Sequence, residues 1–126
     1  MSLQELQAKG RLPVILAGNR SVMAWLVDDR VYVTSANGTA FQYPLVDAEL
    51  FKAEGGKAAV RCGLDGCEYE LETGAVIRWC PQEDSPLSLR NLFGGLKRAS
   101  PPVALPVYST RVSEAGNVEV FLSVDA

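Results

Sequence analysis

The sequence predicts an all-β domain of antiparallel sandwich or barrel type, and three observations carry that prediction. Short runs of apolar and β-branched residues recur along most of the chain; Gly, Asn and Asp turn signals separate them; and helical spacing is confined to two short stretches. Taking the elements in order, Ser2 to Lys9 reads as a helical turn, with Ser2 as its cap, Glu5 three residues on and Gly10 as its stop. Pro13-Val14-Ile15-Leu16 is the first strand, turned at Gly18-Asn19. Val22 to Val27 and Val31 to Thr34 continue an antiparallel meander around the turn Asp28-Asp29-Arg30. Asn37-Gly38 marks another turn, and Thr39 to Lys52 reads as a loop-rich connection. Lys57 to Arg61, Glu68 to Leu71 and Ala75 to Trp79 then form two successive hairpins, separated by Gly63-Leu64-Asp65-Gly66 and Glu72-Thr73-Gly74. Five of the seven prolines fall between Pro81 and Pro106, which reads as a long Pro-rich insertion loop. Within it Ser88 to Phe93 reads as a helical turn stopped by Gly94-Gly95. Val107 to Val112 and Val118 to Leu122, joined at Glu114-Ala115-Gly116-Asn117, close the sheet.

Composition narrows the chemistry. A chain of 126 residues, 48% hydrophobic, is one domain that buries roughly two-thirds of its unfolded surface, so its core needs neither metal nor disulfide. A net charge of −3, with 12 basic against 15 acidic residues and no concentrated basic face, argues against nucleic acid as a partner. There is no histidine. His-ligated zinc, Ser-His-Asp and Cys-His catalysis are thereby excluded, and no catalytic residue is expected. Three cysteines, Cys62, Cys67 and Cys80, are too few and too irregular for a secreted disulfide scaffold. They also lack the paired spacing of a structural zinc site, so no metal is expected. Met1-Ser2-Leu3-Gln4 does not read as a secretory signal, while a transit peptide could precede it.

The stretch Cys62-Gly63-Leu64-Asp65-Gly66-Cys67-Glu68-Tyr69-Glu70-Leu71-Glu72-Thr73-Gly74 resembles the second cluster-binding loop of the Rieske ferredoxin family, Cys-Pro-x-His-Gly-aromatic followed by Phe-Asp-x-x-Thr-Gly. Tyr43-Pro44-Leu45 stands where that family has the Cys-Pro-His of its first loop, with Leu50 at the family's following leucine. Sixteen residues separate Leu45 from Cys62, which keeps the family register without gaps. The resemblance extends to Leu105-Pro106-Val107-Tyr108 and the last strand pair. It implies a Rieske-like sandwich over residues 1–126, with 39–80 as a loop-rich, cluster-binding-like subdomain and 81–106 as the insertion. A Rieske centre takes two thiolates on one iron and two imidazoles on the other. The corresponding positions here are Tyr43, Leu45, Cys62 and Asp65, so the resemblance implies a branch that has lost the cluster ligands and carries no cofactor.

Ligand-less domains of this kind resemble two types of protein. One is the chloroplast photosystem II protein 33 type, called thylakoid enriched fraction 5 in green algae. It implies a non-enzymatic protein-interaction domain that organises or stabilises photosystem II and its light-harvesting antenna at the thylakoid membrane, with the soluble domain on the stromal side. The alternative is a cytoplasmic, non-catalytic small subunit of a nitrite-reductase-like oxidoreductase. The long Pro-rich insertion favours the first.

Two further sites are open. Cys62 and Cys67 flank a four-residue turn and could pair as a disulfide or thiol switch; the other reading makes Cys62 a relict ligand and Cys67 a small buried residue. In the insertion, Leu89, Leu92, Phe93 and Leu96 share one helical face, with Arg90, Lys97 and Arg98 around it. That face either covers the domain's own core or is a docking surface for a protein partner or an anionic membrane surface.

Overall fold

A computed structural model describes residues 1–81 and 89–121, with the backbone alone for 89–91. The chain begins with helix α1, Leu3–Lys9. Ser2 Oγ accepts the Glu5 N–H at 3.1 Å, and Gly10 closes the other end in the left-handed region at φ 79°, donating its N–H to Leu6 O. Strands β1 (Arg11–Leu16), β2 (Arg20–Val27) and β3 (Arg30–Ser35) follow as an antiparallel meander. Asp28 and Asp29 both take positive φ at the second hairpin, the geometry that matches the twist of paired strands. Strands β8 (Val107–Val112) and β9 (Val118–Phe121) complete a five-stranded sheet of order β1-β2-β3-β8-β9. Pro13 is tolerated because β1 lies at the sheet edge.

A second, four-stranded antiparallel sheet is made of β4 (Glu49–Lys52), β5 (Ala58–Arg61), β6 (Glu68–Glu70) and β7 (Val76–Arg78). The first of these lies within the connection from Thr39 to Lys52, which was expected to be loop-rich and for which no strand was expected. Glu49-Leu50-Phe51-Lys52 is too short to show alternation, and its pairing with Arg61 to Ala58 makes it a strand. The insertion differs too. Helix α2 spans Leu89–Lys97 and runs straight through Gly94-Gly95, where a stop was expected. The expected start of that turn at Ser88 and the expected end of the last strand at Leu122 lie outside the described residues.

Alternation on β2 sorts the core into two clusters. Met23 and Trp25 point into the space between the sheets, with Leu45, Val60, Cys62, Tyr69, Leu71 and Leu105. Val22 and Ala24 point the other way, onto Leu6 of α1 and Val33. The indole N–H of Trp25 donates to Thr34 Oγ1 at 3.1 Å, so the largest core side chain leaves no polar atom unpaired. The second sheet and the loop after β3 thus rest on a floor fixed by the first sheet.

Candidate functional site

Two loops meet at one end of the second sheet. The first, residues 36–48, folds into a tight hairpin: Asn37 bridges Pro44, Gly38 N–H donates to Tyr43 O and Leu45 N–H to Ala36 O. Arg11 anchors it from outside, its Nη1 donating to Val46 O at 3.0 Å and Ala48 O at 2.7 Å while the guanidinium lies over the Trp25 ring. The second loop, Cys62–Cys67, is closed by Cys62 N–H to Cys67 O and Gly66 N–H to Cys62 O.

The four positions singled out by the sequence are brought to this junction in different ways. Leu45 is fully buried, whereas Tyr43 is 43% exposed at the rim. A Cβ on Gly38 would stand 3.8 Å from Leu45 Cδ2, 3.7 Å from Cys62 Sγ and 3.6 Å from the Tyr69 hydroxyl, so those three side chains converge around the Gly38 backbone. Asp65 is buried, and its Oδ1 accepts the Cys67 N–H at 2.9 Å; its Oδ2 is the one buried side-chain oxygen without a partner among the described residues. The Tyr69 hydroxyl meets Thr39 N–H and Oγ1, and Thr39 Oγ1 donates to Val103 O at 2.6 Å, which ties the returning insertion to the first loop.

These residues do not fit a [2Fe–2S] cluster. Leu45 offers no donor atom, Tyr43 stands half-exposed at the rim, and Asp65 brings a carboxylate with one oxygen held by the turn of its own loop where the family takes an imidazole. Apolar packing holds the loops where iron would clip them. Burial pushes the Cys62 thiol up to about 11, and pushes Cys67, Cys80 and the Tyr69 hydroxyl upward as well, so all four stay protonated near neutral pH.

Helix α2 lies across this junction. The Phe93 ring stands edge-on to Phe41 of the first loop at 5.8 Å, and a Cβ on Gly94 would come within 3.2 Å of Asp65 O in the second. Glycine at 94 lets the helix approach that carbonyl. Trp79 Nε1 donates to Lys97 O, the Lys97 ammonium lies over Phe41, and Arg98 donates to Cys80 O at 2.8 Å and Pro81 O at 3.3 Å. Lys97 and Arg98 thus fold back onto the domain. Leu92 and Leu96 do not follow Phe93 into the junction: they are 63% and 71% exposed. The side chains of Leu89 and Arg90 lie outside the described atoms.

Cys67 has a sulfur neighbour that spacing did not suggest. Cys67 Sγ is 3.4 Å from Cys80 Sγ and accepts the Cys80 N–H at 3.1 Å, while Cys62 Sγ lies near Gly38.

Residues 1–121 match the family model of the Rieske-like [2Fe-2S] domain. No curated protein matches the chain. Among solved structures, a chain described as an NADH-dependent nitrite reductase small subunit from Mycobacterium tuberculosis is similar with a TM-score of 0.68 at 20% identity, over 98% of this chain and 92% of that one. A chain from a complex of reduced oxygenase and oxidized ferredoxin in carbazole 1,9a-dioxygenase gives 0.66 at 19%, covering 95% and 96%. The Sphingomonas yanoikuyae B1 ferredoxin gives 0.60 at 16%, covering 90% and 86%. At these identities the likeness is one of fold.

Proposed function

The chain belongs to the Rieske-like [2Fe-2S] domain family, and from that premise we propose that it is a cofactor-free, non-catalytic member that works by docking on a protein partner. The observation that carries this reading is the junction itself. A buried leucine occupies a ligand position, and helix α2 covers both loops while presenting Leu92 and Leu96 to solvent. An exposed apolar pair on a helix that packs over both loops offers a surface to a partner. Similar folds come from structures of ferredoxin and oxygenase in complex, which supports a protein partner.

For the partner we propose photosystem II or its light-harvesting antenna, with the domain on the stromal side of the chloroplast thylakoid membrane. The long insertion between β7 and β8, which resembles that of the photosystem II protein 33 type, supports this choice. A second reading, a cytoplasmic accessory subunit of a nitrite-reductase-like oxidoreductase, is favoured by the overlap in both length and fold with the Mycobacterium structure.

The test uses the full chain and its Leu92→Asp, Leu96→Asp double variant, each immobilised and offered detergent-solubilised thylakoid membranes or the purified catalytic subunit of an NADH-dependent nitrite reductase. Recovery of photosystem II or antenna subunits, lost at least about tenfold with the double variant, is expected. Recovery of the reductase instead supports the second reading. Retention of neither contradicts both.

A further inference from the structure

We propose that Cys67 and Cys80 form a reversible disulfide, made by exchange with a soluble disulfide, that pins the second loop to the root of the insertion. The two residues sit at the open ends of β6 and β7, just beyond the paired Glu68 and Arg78. Their sulfurs lie 3.4 Å apart, so about 1.3 Å of closure makes the bond. The backbone holds them in place for it. Cys80 takes φ 44°, a strained setting for a side chain with a Cβ, and is kept there by its N–H bond to Cys67 Sγ and by Arg98 on its carbonyl. The cross-link therefore joins groups already fixed face to face.

Cys80 is the attacking sulfur: burial and Asp65 oppose the anion of both cysteines, and Arg98 and Lys97 partly offset this at Cys80. Its thiol loses a proton to solvent, and the thiolate breaks the S–S bond of the oxidant, forming a mixed disulfide and releasing one thiolate. Cys67, deprotonated in turn, attacks the Cys80 sulfur; the Cys67–Cys80 bond forms and the second thiolate leaves. Two protein thiols are oxidised, and the oxidant departs as two thiols bearing the two protons. Both cysteines are buried, and α2 packs over this end through Gly94 and Arg98, so exchange proceeds when α2 lifts. Resting on the docking reading above, the bond would set the position of Leu92 and Leu96 relative to the loops, and so make docking sensitive to thiol redox state.

The full chain is incubated with glutathione disulfide, acid-quenched, alkylated and weighed intact, alongside Cys62→Ser and Cys67→Ser variants. Two of the three thiols are expected to disappear from the wild type. The cross-link should persist in Cys62→Ser and vanish in Cys67→Ser. The oxidised wild type should melt about 5–10 °C above the reduced form, reversibly with dithiothreitol. Three free thiols, a cross-link lost in Cys62→Ser, or an unchanged melting temperature overturns the assignment. Because the thiol count needs no partner, a failure of docking leaves the disulfide standing, and three free thiols leave the docking reading standing.

Discussion

Leu45 and Cys62 show what replaces a metal clip at the level of single residues. Both are fully buried, and both contact the space around Gly38, so the two loops are joined by dispersion and desolvation. Leu45→Ala should cost about 2–5 kcal/mol, read as a lower urea midpoint with an unchanged slope. The thiols add a pH dependence whose sign follows from linkage. Cys62 is raised from the ordinary 9.0 to about 11, with Cys67 and Cys80 shifted the same way, so between those values the folded chain keeps protons that the unfolded chain releases. Their contribution to stability is complete below about pH 8.5 and is lost as the pH rises toward 11. Urea midpoints measured in steps across that range should fall steadily; a flat profile would mean that the thiols are not buried. That Tyr43, Leu45 and Asp65 offer neither a thiolate nor an imidazole was legible, because donor chemistry is written in residue type. The sulfur that faces Cys67 was not, since it lies beyond the end of the next strand, thirteen residues on.

Elements were legible where local chemistry decides them and obscure where tertiary contact does. The Ser2 cap and the Gly10 stop of α1 were readable because both act within one helical turn. Helix α2 was truncated by the reading of Gly94-Gly95, because helix propensity counts glycine as a cost and cannot see that Gly94 is needed for approach to Asp65 O. Gly74 makes a stricter version of the same point. It sits at φ 77°, and a Cβ there would fall 1.9 Å from Leu105 O, at the contact where Leu105 N–H bonds Gly74 O. Gly74→Ala is expected to destabilise by about 2–4 kcal/mol, measured by thermal or urea unfolding. The exposed leucines should behave in the opposite way: Leu92→Asp, Leu96→Asp should shift stability by no more than about 0.5 kcal/mol per site, separating their role from that of Phe93. Deleting all of α2 cannot make that separation, because one helix both covers the loops and carries the exposed pair.

Across the whole molecule, the alternation of β2 ties the pieces together: one face receives α1, the other receives the second sheet and the loop junction. The β class, the turns and the order of most strands were legible because period-two alternation and Gly, Asn and Asp turns are local signals. The first strand of the second sheet was not, because β4 gains its strand character only from pairing with β5. A fold whose core lies between sheets keeps its shape when residues at one end change. The measurement that bears most directly on this account is iron and acid-labile sulfide content, with a visible absorption spectrum, on the chain isolated anaerobically from its natural source. The account predicts neither element above trace and no visible band; about two irons and two sulfides per chain would contradict it.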